Sequence, residues 1–209
     1  EARLPEDGSA PAKDTISFPG GIGDYLSEAI GERPTYTSSF FAGTSPFNGA
    51  GRVEWAIAWP GDERGFIHSY VNTVPTPQGG SHEQGLRSAL TRALRTHAEL
   101  VGVKKASQIT ADDVMVGACI MLSLFIPDPQ FQGQTKERLG MPEAARTVEN
   151  GIKDHFDHFL SGDPAGARRL IDHLIDKAEE RQRRKQQREM QRQSATRKLR
   201  LPGKLADCS

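Results

Sequence analysis

Between Pro164 and Ala178 the apolar residues Ala167, Leu170, Ile171, Leu174, Ile175 and Ala178 recur at the three-and-four spacing of one helix face. Past Ala178 the stripe ends. Only Met190 is apolar before Ala195, yet the helix-forming composition runs on. Such a helix packs along its first half and crosses solvent along its second, so the stretch to about Gln193 reads as a connector leaving a folded domain. Asp163 and Pro164 supply its start, an N-cap carboxylate followed by proline at the first helical position.

Upstream, Ile22, Tyr25, Leu26, Ala29 and Ile30 mark a short amphipathic helix closed by Gly31. A short strand is expected at 15–18, after a Pro-, Gly- and charge-rich loop at 1–14. Three stretches rich in aromatic and β-branched residues, at 36–42, 52–59 and 66–72, read as strands, with Pro60-Gly61-Asp62 turning between the last two. Ser81 and Gln84 have capping-box spacing ahead of Leu86, Ala89, Leu90, Ala93 and Leu94, which predicts a long helix ending near Leu100 and Gly102. Thr110 with Asp112 and Asp113 repeats N-cap chemistry for a short helix, and the continuous apolar run at 118–126 predicts a buried strand. Pro127, Asp128 and Pro129 end that strand, a polar loop continues through Gly140, and Pro142 opens another helix. Its expected buried face is Ala145, Val148, Ile152, Phe156 and Phe159.

These elements predict an α+β domain at 15–161, with a mainly four-stranded sheet backed by helices. A long C-terminal helix at 162–196 follows. With 209 residues, 36% hydrophobic and 26% charged, the chain can bury a core while leaving one segment solvated. Its formal net charge is zero, which excludes general attraction to nucleic acid or membrane. The distribution differs from the sum, because the basic residues from Lys177 to Lys204 are opposed only by Glu179, Glu180 and Glu189. Cys119 and Cys208 have no paired spacing, and no apolar run reaches membrane-spanning length, so a reduced, soluble, cytoplasmic protein is expected.

Candidate chemistry is sparse. Gln134-Thr135-Lys136 lies in the polar loop, where on side-chain chemistry alone it is ordinary surface. Gly79-Gly80-Ser81 before a helix could bind an anion through free backbone N–H groups, although capping by Ser81 explains it more simply. His155 and His158, beside Asp154 and Asp157, lack a further ligand motif and read as a solvated face, so no metal site is assigned. Arg183, Arg184 and Arg188 in the basic run are candidate DNA-phosphate contacts, weighed evenly against a solvated helix of mixed charge. Cys119, inside an apolar run, reads as core packing.

Several blocks carry a family resemblance. They are Ser69-Tyr70-Val71-Asn72, Gln78-Gly79-Gly80-Ser81-His82, Gly85-Leu86-Arg87, Asp128-Pro129-Gln130-Phe131, Gly133-Gln134-Thr135-Lys136 and the terminal Leu201-Pro202-Gly203-Lys204-Leu205-Ala206-Asp207-Cys208. In this order, and over nearly the whole chain from Phe18, the sequence resembles the region after the ATP-binding domain in ATPase subunits of bacterial type IIA DNA topoisomerases. The Phe18-Pro19-Gly20-Gly21 start and the Ser-Tyr-Val-Asn wording are more similar to the B-type subunits of topoisomerase IV than to those of DNA gyrase.

The resemblance implies a transducer domain with a left-handed β-α-β crossover, contrary to the usual hand. Residues 1–14 then end a preceding ATPase domain, and 197–209 begin a linker to a toprim domain. It implies that Gln134 and Lys136 bind the γ-phosphate of ATP, with Lys136 in the catalytic role of stabilising the transition state. ATP and Mg²⁺ are then held mainly by the preceding domain, with no cofactor expected in this segment, which alone neither hydrolyses ATP nor cleaves DNA. Arg87, Arg92 and Arg95 on the long helix become weaker candidates for lining a DNA cavity. Implied partners are DNA, a second copy of the same polypeptide and the DNA-cleaving A-type subunit of topoisomerase IV. Alternatives are the transducer of a DNA gyrase B-type subunit, or a DNA-binding or scaffold segment acting through its basic C-terminal helix.

Overall fold

The apolar run at 118–126 is the centre of the sheet. In a computed structural model, which describes residues 18–47 and 51–199 with side chains to 193, it forms β5, Cys119–Phe125, with neighbours on both edges. One edge pairs antiparallel with β2, Arg52–Ala58; the other pairs parallel with β3, Phe66–Val71. β1, Phe41–Pro46, extends the sheet beyond β2, and β4, Val74–Pro75, beyond β3. The order is β1-β2-β5-β3-β4, five strands where four are expected. The extra strand is two residues long and folds back through Asn72 and Thr73, whose positive φ angles of 48° and 67° suit a tight hairpin turn.

Both faces of β5 are covered, which is why its sequence is apolar throughout rather than alternating. Ile120, Leu122 and Leu124, with Val53, Trp55 and Ile57 of β2, face the large helical layer. Cys119 and Met121, with Ala56 and Ala58, face α1, Ile22–Ile30, through Leu26 and Ile30. Cys119 is fully buried and takes the packing role expected of it.

The helical layer begins with α2, Ser81–Leu100, which with a 3₁₀ turn at Ala106–Gln108 and α3, Ala111–Met115, connects parallel β3 to β5. α3 has the expected cap, since the Thr110 hydroxyl accepts from the Asp113 N–H and the Asp113 side chain accepts from the Thr110 N–H. α4, Pro142–Gly162, buries Ala144, Val148, Ile152, Phe156 and Leu160 against this layer. That face is turned slightly from the expected one, so Phe159 is half-buried and the Ala145 backbone meets Gly85 of α2. A Cβ on Gly85 would lie 2.2 Å from the Ala145 carbonyl oxygen, so only glycine allows this approach.

α5, Pro164–Leu199, buries the whole stripe from Ala167 to Ala178, and residues 179–193 are exposed as the sequence pattern requires. Asp163 holds the α4–α5 corner. The Ser38 N–H, the Gly166 N–H and the Ser38 hydroxyl donate to its carboxylate and hold its pKa down to about 2.

Two expectations shift. The first strand lies at Phe41–Pro46 rather than 36–42, because Thr35 and Thr37 spend their hydroxyls on the carbonyls of Thr37 and Ser39, in local turns that compete with a ladder. The stretch from Pro127 to Gly140 is not all loop, since β6, Phe131–Gln132, pairs with β7, Arg138–Leu139. The strand expected at 15–18, Phe18 apart, and the Leu201–Cys208 block lie outside the described residues. Substituting Gly85→Ala is expected to lower stability by about 1–3 kcal/mol through overpacking; an unshifted urea midpoint would show that α2 and α4 are not in this contact.

Candidate functional site

Gln134, Thr135 and Lys136 occupy the tip of the β6–β7 hairpin, and all three are exposed. The turn needs left-handed backbone at Gly133, with φ 77°, and at Lys136, with φ 58°. A lysine rarely adopts that conformation, and such local strain concentrates at functional loops.

The base of the hairpin is pinned. Leu139 is buried in the main core and Phe131 packs against it. The Leu139 N–H donates to the Gly79 carbonyl at 3.1 Å, the Gln78 N–H donates to the Glu137 carbonyl at 3.0 Å, and the Gln78 side-chain amide donates to the Glu137 carboxylate at 2.5 Å. Glu137 adjoins Lys136 in the chain, so these bonds reach within one residue of the tip. Gly80, with φ 143°, lies against the Leu139 backbone, where a Cβ would meet the carbonyl oxygen at 2.4 Å.

Gly80 therefore serves close approach rather than a start capped by Ser81, while Gly79 takes a left-handed backbone, φ 65°, beside the Glu83 side chain. Gly80 is the N-cap residue of α2 without any side-chain cap bond, and the Ser81 hydroxyl is buried without a hydrogen-bond partner among the described residues.

Behind this contact lies a buried polar cluster that sequence reasoning missed. The Ser69 hydroxyl donates to Glu83 at 2.6 Å, the Thr76 N–H donates to the Ser69 carbonyl at 2.8 Å, and Thr76 Oγ1 lies 3.2 Å from His82 Nε2. His82 is fully buried, its Nδ1 finds no hydrogen-bond partner among the described residues, and burial pushes its pKa down to about 4. The only sequence signal was the spacing of Ser69, Thr76, His82 and Glu83 within or beside blocks already noted for family resemblance.

The candidate arginines divide between two settings. On α2, Arg87 pairs with Asp112 at 3.1 Å, Arg92 pairs with Glu149 at 2.8 Å, and Arg95 donates to the Ile109 carbonyl at 2.7 Å. Each ties α2 to a neighbouring element. On α5, Arg184 and Arg188 sit one turn apart beside one groove, whereas Arg183 faces another with Lys105. Arg184 also pairs with Glu180 on its own helix at 2.5 Å. The His155 ring is tilted by 55° against Trp55 with centroids 5.2 Å apart.

A family model described as DNA gyrase B matches residues 21–190. The chain belongs to this family. It is similar to the B-type subunit of DNA topoisomerase 4 from Bartonella bacilliformis, with 52% identity over 209 residues, 100% of this chain and 30% of that protein. Among solved structures, the topoisomerase IV ATP-binding domain of Francisella tularensis, in complex with a small-molecule inhibitor, matches with a TM-score of 0.70 at 28% identity. That match covers 79% of this chain and 44% of the other. The 43K ATPase domain of Thermus thermophilus gyrase B, in complex with an aminocoumarin, matches at 0.71 and 26% identity, over 82% of this chain and 46% of the other. The family resemblance read from the motif blocks is borne out, as is its leaning to the B-type subunits of topoisomerase IV. The chain spans about a third of the length of the curated relatives it matches. No helix among the described residues is long and apolar enough to cross a membrane.

The His82 site of this family member gives a pH test. Its ordinary pKa near 6.5 falls to about 4 on folding, so between these values the unfolded chain binds the extra proton and stability falls as pH drops. The full loss, below about pH 4, is on the order of 3 kcal/mol. Urea unfolding across that window is expected to show the decline, and His82→Gln to flatten it; identical slopes would place His82 outside the effect.

Proposed function

We propose that this chain is the transducer segment of an ATP-dependent type II DNA topoisomerase, of the kind found in the B-type subunits of topoisomerase IV. Residues 15–161 form the transducer domain and 162–196 its exit helix. The tip of the β6–β7 hairpin senses the γ-phosphate of ATP held, with Mg²⁺, by a neighbouring ATP-binding domain. α5 then relays nucleotide state towards the DNA gate during strand passage and decatenation. The observation that carries this reading is an exposed Gln134 and Lys136 on a hairpin whose base is pinned to the start of α2.

The donor set fits an anionic phosphoryl group. Lys136 offers a compact ammonium and Gln134 an amide N–H, and both can meet phosphate oxygens. Magnesium-bound ATP supplies the phosphoryl group whose cleavage drives the cycle. Lys136 stabilises charge on the transferring group, and the pinned base holds that charge in place before the reaction, so little reorganisation is needed. The protein works with DNA, a second copy of itself and the DNA-cleaving A-type subunit. In the full-length protein, Lys136→Ala is expected to lower DNA-dependent ATP hydrolysis by about 10²-fold, with relaxation falling alongside. Normal turnover in both assays would sink the assignment.

A second reading, favoured by Arg184, Lys185 and Arg188 lining one groove, is that α5 contacts DNA directly. Neutralising Arg183, Arg184 and Arg188 together is expected to weaken duplex binding and make the slope of log affinity against log salt shallower by about 0.9 per lost phosphate contact. An unchanged slope removes these residues from the interface.

A further inference from the structure

The apolar stripe of α5 ends at Ala178, and Arg181 lies one turn beyond it. Apolar contact is non-directional, so polar contacts at the end of the stripe add to setting the angle of the outgoing helix, among them Lys177 donating to the Val116 carbonyl at 2.6 Å and the Lys105–Glu179 pair. Arg181 supplies direction. Its Nε donates to Asp113 Oδ1 at 2.9 Å and its Nη2 donates to Asp113 Oδ2 at 3.0 Å, a two-point contact that fixes orientation as well as distance. Nη2 also donates to the Gln108 carbonyl at 3.0 Å.

The acceptor is already committed elsewhere. Asp113 is 5% exposed, and its Oδ2 accepts from the Thr110 N–H at 2.8 Å and the Thr110 hydroxyl at 2.7 Å, closing the capping box of α3. One carboxylate therefore holds both the first turn of α3 and the root of the outgoing part of α5. That first turn is in turn tied to α2, by Arg87 to Asp112 and by Arg95 to the Ile109 carbonyl. The hairpin docks at Gly80, the N-cap residue of α2.

We propose that the Arg181–Asp113 pair is the joint that couples the hairpin-bearing crossover to α5, with Arg181 and Asp113 acting as positioning residues for strand passage. This rests on the reading of α5 as a relay. Movement of α2 carries the α3 cap with it, and the shared carboxylate re-aims the guanidinium and hence the helix.

The test uses the full-length protein assembled with its DNA-cleaving partner, and counts strand-passage events per ATP hydrolysed. Arg181→Ala is expected to keep ATP hydrolysis while strand passage per ATP falls by about tenfold, within the usual range of coupling free energies. Arg181→Lys, which keeps the charge and loses the two-point geometry, is expected to recover only part of it. Asp113→Asn, whose amide oxygen still accepts from the Thr110 N–H, is expected to reproduce the uncoupling and guards against a folding defect in Arg181→Ala. Wild-type strand passage per ATP in both Arg181→Ala and Asp113→Asn overturns the proposal. Lys136→Ala run alongside separates the two claims: normal hydrolysis there defeats the hairpin as sensor, whereas the Arg181 result reports only on the joint.

Discussion

At Gly85 the backbone of α2 comes so close to the Ala145 carbonyl of α4 that no side chain can intervene, and the remaining helical layer is arranged around that contact. α2 cannot slide on α4 without opening a gap or a clash, since a close-packed interior transmits displacement rather than absorbing it. The same helix covers the β5–β2 face with Leu86, Leu90 and Leu94, receives the hairpin at its N-cap residue Gly80, and reaches α3 through Arg87. Its placement thus fixes the positions of the hairpin and of the elements under α5.

Elements with strong local signals were legible in the sequence. The unbroken apolar run of β5, the Thr110–Asp113 capping box and the stripe of α5 each carry their own periodicity or chemistry, and each appears where expected. What escaped depends on partners far away in the chain. The β6–β7 hairpin is too short to show a two-residue period, and β4 is a two-residue return. The Gly79-Gly80 pair resembles a helix start but serves contact with Leu139, which no local pattern announces. The Gln-Thr-Lys tip itself was recognised through motif wording, because its side chains are those of any polar surface.

The charges show the same division between local and distant information. A zero net charge conceals arginines of opposite use. Those of α2 are spent on Asp112, Glu149 and the Ile109 carbonyl of neighbouring elements, while Arg183, Arg184 and Arg188 ride on the solvated part of α5. Exposed ion pairs such as Arg184–Glu180 add little stability, so that part of the helix keeps its form chiefly through the intrinsic preference of its Glu, Gln, Lys and Arg residues.

Past Ala178, α5 continues to Leu199 with an exposed surface wherever its side chains are described. At 1.5 Å per residue this is a rod about 30 Å long, rooted in the folded domain at Ala178. Geometry then does the amplification: a tilt of about 10° at its root sweeps the far end through about 5 Å. A tilt of that size at the root thereby gives a far-end displacement comparable to the rise of a full helical turn.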